Sequence, residues 1–193
     1  MNKVSTKKIV ATALITALTT VATMVVQIPI PAVNGYVNLG DVFVIFGALA
    51  LGAVYGGISA GIGSALADLI LGYAIYAPAT FIIKTLMAVV TALIYKGLKK
   101  VIKPALPCAI IGGLVAEILM VLGYFFFEAV VLSYGLSASA SMLFNLVQGG
   151  IGLALGVSIY MILYATGLMN KFEFFCSTKT KEKGVKEQNN SQS

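Results

Sequence analysis

The chain has 193 residues, 59% of them hydrophobic and 10% charged, with a net charge of +6 and no histidine. A soluble domain carries about 25% charged residues, so a water-facing globular fold is excluded; a zinc or haem site, which histidine or paired cysteines would supply, has little support. Segments of about 20 apolar residues between short polar breaks describe an all-α, polytopic membrane protein, and the long alternating segments of a membrane barrel are absent.

The first span is expected at about 9–30. Its apolar run exceeds the roughly 7–15 residues of a signal-peptide core and another span follows at once, so it reads as a retained helix. Ala13 and Ala17 stand four apart beside Thr12, Thr16 and Thr20, a spacing of small residues that serves either internal packing or close approach of another chain. Pro29 and Pro31 end the helix, since proline lacks the amide donor. In the polar and aromatic loop that follows, Asn38 and Asp41 suit the N-terminus of the next helix.

Spans two and three are expected at about 41–55 and 57–75, as a tight hairpin turning at Gly56 and Gly57, with Gly52/Gly56 and Gly57/Gly61 forming two GxxxG pairs. Asp68 lies near the end of the third span and Lys84 near the start of the fourth, about 78–97. Each is eight residues from Tyr76 in the turn between them. Equal depth in a medium where a lone charge costs roughly 2.5–3.5 kcal/mol makes an intramembrane Asp68–Lys84 pair the expectation. Tyr73 and Tyr76 suit the membrane interface.

The fifth span, about 107–127, carries Glu117 near its middle and Tyr124 two turns later on the same face; Glu128, beyond it, is expected in outer water. The sixth, about 138–168, carries Asn145 and Gln148 on one face, positions that suit either a ligand or an interhelical hydrogen bond. Residues 170–193 are polar and are expected to be a disordered tail.

Every basic residue is lysine, and all but Lys84 flank the spans or lie in the tail. By the positive-inside rule both termini and the Lys96–Lys103 loop are cytoplasmic, which requires an even number of spans, here six. This placement accounts for the positive charge through topology, without nucleic acid. Cys108 and Cys176 both fall on the cytoplasmic side, where a structural disulfide is not expected.

Asp68, Lys84, Glu117, Asn145 and Gln148 come from four spans yet fall at similar depth, which describes a small polar ligand in an otherwise apolar pocket. No nucleophile beside a base, no HExxH and no GxxxxGK[ST] is present, so neither an enzyme nor an ATP-using chain is indicated. A stand-alone secondary transporter is the rival, although its matching halves are not visible.

The basic start, ALITA at Ala13–Ala17, the loop ending GYVNLGD, the hairpin GAVYGGISAGIGSALADLILGY and APATFIIK together resemble the substrate-binding S component of an energy-coupling factor (ECF) vitamin transporter, nearest the group of presumed hydroxymethylpyrimidine, pyridoxine and pantothenate binders. The resemblance implies six helices in a bacterial cell membrane, no catalysis and no cofactor. It also implies capture of a vitamin for a complex with a membrane T subunit and two ATPase subunits. The family's AxxxA motif, which contacts the T subunit, falls on Ala13 and Ala17. The loop from Ala32 to Asp41 would be the lid. Asn38, Asp41, Lys84, Glu117, Tyr124, Asn145 and Gln148 are the expected substrate-binding residues, and a thiamine-precursor pyrimidine or B6-type ring is favoured over pantothenate.

Overall fold

A computed structural model describes residues 6–30 and 35–169; the expected tail, with Cys176, lies outside them. Helix α1 (Thr6–Val25) is apolar apart from its first turn and its threonines. Thr12, Thr16, Thr19, Thr20 and Thr23 each return a hydroxyl hydrogen bond to the carbonyl four residues earlier. The hydroxyls are thereby satisfied within the helix where water is absent. Thr20 also donates across to the Gly63 carbonyl at 2.9 Å.

The chain then forms an antiparallel pair that hydropathy gave no reason to expect, β1 (Ile28–Ile30) and β2 (Gly35–Val37), with Pro29 opposite Tyr36. Both strands are edges, so Pro29 costs no interior ladder bond. Ile30 and Val37 are buried against Tyr134 and Phe144. Alternation along β2 sends Tyr36 the other way.

Helix α2 (Gly40–Ile70) is one 31-residue element, broken inside at Gly52, whose φ of 79° and ψ of −177° only glycine adopts readily. The chain folds back there. A Cβ at Gly56 would stand 2.8 Å from the Ala48 Cα, whereas residues eight apart in an unbroken helix are separated by about 12 Å. The reversal therefore comes four residues before the expected turn at Gly56 and Gly57, which remain helical and provide close contact.

Helices α3 (Ala77–Leu98), α4 (Ala105–Phe126) and α5 (Ser139–Ala165) complete the bundle; a π-turn at Phe127–Val131 extends α4, and a 3-10 turn at Gly135–Ala138 leads into α5. Among the described residues five helices, not six, are long and apolar enough to cross a membrane. The expected second and third spans are the two arms of α2, and the first arm, 40–51, covers only about 18 Å at 1.5 Å per residue. That is well short of the roughly 30 Å hydrocarbon layer.

The α2 element packs on α1, α3 and α5, and α4 packs on α3 and α5. Val44, Ile45, Met87 and Met120 fill the centre, while Leu14, Val21, Ile82, Leu86, Ile118 and Leu122 face outward. Exposed apolar side chains around buried Asp41, Lys84, Glu117 and Glu128 invert the pattern of a water-soluble protein. The chain is a multi-pass membrane helical bundle. Cys108 is buried with a free thiol.

Candidate functional site

Polar side chains enter the bundle in stripes of helical period. Ser64 and Asp68 lie four apart on α2, Thr80 and Lys84 four apart on α3; Met120 and Tyr124 repeat the spacing on α4, and Ser141, Asn145 and Gln148 continue it on α5. Residues three or four apart share a face, so each helix presents one polar strip. The strips meet beneath the β1–β2 pair, at the end of the bundle opposite the Lys99–Lys103 loop.

Lys84 is the centre of the arrangement, with 2% of its surface exposed. Its ammonium pairs with Asp41, donates to the Met120 sulfur at 3.0 Å and lies 5.5 Å from the centre of the Tyr124 ring. The second Asp41 oxygen accepts from the Gln148 amide at 2.6 Å, and the Gln148 carbonyl accepts the Asn38 backbone N–H at 2.7 Å. The Asn38 side-chain oxygen in turn accepts from the Gly40 amide at 2.9 Å. One connected network thus ties α2, α3 and α5 to the strand that precedes α2. Removing two charges from water costs several kcal/mol per ion, repaid only when the remaining lone pairs and protons are satisfied; the extra bonds to Asp41 meet that condition. Asp41 also stands in the first turn of α2, where the helix dipole favours a negative charge.

The expected Asp68–Lys84 pair does not form. Depth along the helix axis was matched, but depth says nothing of direction around the axis, and Lys84 turns to Asp41. Asp68 instead accepts a hydrogen bond from the Tyr36 hydroxyl at 2.7 Å, and the Tyr36 ring packs against Tyr73 with centres 4.6 Å apart. Burial first, then the Asp68 charge, holds the Tyr36 hydroxyl well above its usual pKa, so it stays a donor. Glu128, expected in water, is 2% exposed. The π-turn carries it inward, where Ser141 donates to one oxygen and the Tyr76 hydroxyl, at 3.3 Å, to the other. Burial and then Glu128 push the Tyr76 hydroxyl pKa upward as well.

These groups surround a cavity of about 30 Å³, room for about two water molecules. Of the expected site residues, Asn38, Lys84, Tyr124, Asn145 and Gln148 line it. Asp41 stands behind Lys84. Glu117 is further back, pressed against Gly149: a Cβ at that glycine would be 2.8 Å from its carboxylate. Neither Glu117 oxygen has a hydrogen-bond partner among the described residues. Sequence reasoning missed the polar residues Ser64, Thr80, Thr23 and Glu128 as lining residues. The four-residue spacing to Asp68 and Lys84 is a signal that could have found the first two.

Ala13 and Ala17 are exposed on the outer face of α1. They border a separate apolar groove of about 650 Å³, closed on its other side by Tyr55, Ile58, Ile62 and Leu66 of α2.

A family model described as the S component of an ECF-type riboflavin transporter matches residues 3–165. An uncharacterized protein from Pyrococcus woesei is 37% identical over 145 residues, covering 75% of this chain and 93% of that protein. A solved structure described as the S component of a bacterial ECF transporter shares the fold, with a TM-score of 0.67 at 22% identity, over 83% of this chain and 96% of the other.

Proposed function

Since the chain belongs to the family of ECF-type transporter S components, a non-catalytic class of membrane transport proteins, we propose that the cavity beneath β1 and β2 is the place where it captures its vitamin. The observation that carries this reading is the convergence of polar side chains from α2, α3, α4 and α5 on one cavity in an otherwise apolar bundle. Lys84, Asn38, Asn145 and Gln148 offer hydrogen bonds to the ligand, and Tyr36, Tyr76 and Tyr124 offer aromatic walls. Asp41 orients Lys84.

The ligand in this reading is a vitamin with a planar nitrogen heterocycle. Amides, carboxylates, hydroxyls and an amine suit the edge of such a ring, and tyrosines suit its faces. The family description supports riboflavin as the first candidate; a thiamine-precursor pyrimidine and a B6-type ring are smaller members of the same class. A space of about 30 Å³ is far below the roughly 300–1,000 Å³ of ligand pockets. Entry therefore proceeds by displacement of the β1–β2 pair, with Tyr36 leaving Asp68.

The groove bordered by Ala13 and Ala17 is the proposed seat of a T subunit, which with two ATPases would drive uptake. The chain has no nucleotide-binding GxxxxGK[ST] of its own. Titration of the purified protein with riboflavin, hydroxymethylpyrimidine, pyridoxine and pantothenate tests the reading, together with mass spectrometry of any molecule that co-purifies. Saturable binding of one of the ring compounds, abolished by filling the cavity with Ser64→Phe, is the expected result. Binding that Ser64→Phe leaves unchanged would place the site elsewhere.

A further inference from the structure

The described lining of the cavity carries two carboxylates and one cation. Asp68 and Glu128 line it from two different helical elements, and Asp41 stands one residue behind the wall. Lys84 is the one cation among the described lining residues, and Asp41 already balances its charge. Two lining atoms one helical turn apart on α2, the Ser64 hydroxyl and the second oxygen of Asp68, have no hydrogen-bond partner among the described residues, although Ser64 is 1% and Asp68 4% exposed. Buried polar atoms are normally satisfied, and those left open in a cavity are matched by what fills it.

We propose that, on the capture reading above, the cavity selects its vitamin by charge. It takes a neutral or cationic heterocycle that turns a donor edge, an amino group or a ring N–H, toward Asp68 and Ser64, and it rejects anionic forms that carry a phosphate ester or a free carboxylate. A donor edge supplies what the open Asp68 oxygen lacks. An anion in the same place faces Asp68 and Glu128 with no uncommitted cation opposite. To be accommodated it must take Lys84 from Asp41, leaving a buried carboxylate unpaired, or bring protons with it. Pantothenate and phosphorylated vitamins fall on the rejected side; riboflavin, aminopyrimidines and pyridoxine fall on the accepted side.

The test is isothermal titration of the full chain in nanodiscs with matched pairs that differ in charge: riboflavin against riboflavin 5′-phosphate, and pyridoxine against pyridoxine 5′-phosphate, with pantothenate as a further anion. The neutral member should bind about 100-fold more tightly than its phosphate, the scale set by unit charges roughly 6 Å apart at an effective dielectric near 20. Asp68→Asn removes the charge and keeps the size, and should narrow that ratio by about tenfold; Glu128→Gln is the parallel variant should the first not fold. A phosphate or pantothenate that binds as tightly as the neutral compounds overturns the inference and leaves vitamin capture standing. An unchanged ratio in the folded charge-neutral variant assigns the discrimination to size and also overturns it. Binding of none of the compounds removes the capture reading, and this inference with it.

Discussion

Asp41 and Lys84 are 43 positions apart in the chain and form the buried ion pair on which the polar centre of the bundle is built. Asp41 belongs to the first arm of α2 and Lys84 to α3, so the pair closes only if α2 folds back at Gly52 and lets the first arm lie beside α3 and α5. The same pair points the Lys84 ammonium at the Tyr124 ring and at the cavity. Fold and site therefore share one electrostatic contact.

Lys84→Met should strand Asp41 as an unpaired buried carboxylate and lower stability by about 3–5 kcal/mol. In parallel, vitamin affinity should fall by more than about tenfold, which is about 1.4 kcal/mol. Adding Asp41→Asn to Lys84→Met should recover most of the stability and none of the affinity. Unfolding in detergent and ligand titration read the two effects separately, and an Asp41 that tolerates the loss of Lys84 would contradict the pairing.

Tyr36→Phe removes the hydroxyl that β2 donates to Asp68 while keeping the ring against Tyr73. The lost bond is worth about 1 kcal/mol, so dissociation of a bound vitamin in stopped-flow measurements should accelerate about fivefold. An unaltered off-rate would show that the strand pair does not hold the ligand in.

Gly52→Ala should destabilise the protein by about 1–3 kcal/mol, because no other residue adopts its backbone conformation cheaply. The site has no atom within 4 Å of an added Cβ, so the cost is conformational alone. Gly97→Ala is the control: it is equally open, its φ is ordinary and it lies in α3. It should be neutral or stabilise by up to about 1 kcal/mol. Equal effects at the two positions would argue against a reversal at Gly52.

Glu117→Gln should leave stability unchanged or raise it. The native side chain is buried with neither oxygen hydrogen-bonded among the described residues, so an amide of the same shape removes no bond. A loss of more than about 1 kcal/mol would reveal a charge-dependent partner, the reverse of what an unpaired buried group costs.

Ala13→Trp and Ala17→Trp should fill the exposed groove between α1 and α2 and prevent co-purification with a T subunit. Vitamin binding should be unaffected, since neither residue lines the cavity beneath β1 and β2. Intact assembly in both variants would move the subunit contact to another face.

Part of the cavity's lining was legible before any coordinates. Carboxylates, amides and an ammonium in apolar segments are too costly to be incidental, and Asn38, Lys84, Tyr124, Asn145 and Gln148 do line one cavity. Glu128 was misplaced because distance from the end of a hydrophobic run was taken as distance into water, whereas the π-turn at Phe127–Val131 rotates that carboxylate inward to Ser141. The strand pair went unseen because three residues on each side are too few to show alternation, and its buried face packs on Tyr134 and Phe144 from more than 90 positions away.

What the sequence determined by itself rests on transfer from water to hydrocarbon: the membrane-spanning class, and which polar residues are too expensive there to stand alone. Those quantities are sums along the chain, and a sum needs no partner. The tertiary structure decided that Lys84 meets Asp41 and not Asp68, that α2 turns at Gly52 so that five long helices stand where six were expected, and that Glu117 lies behind the cavity wall. Each of these depends on the direction a side chain takes around its helix axis and on which neighbour fills that direction, and close packing settles this only when all the helices are in place.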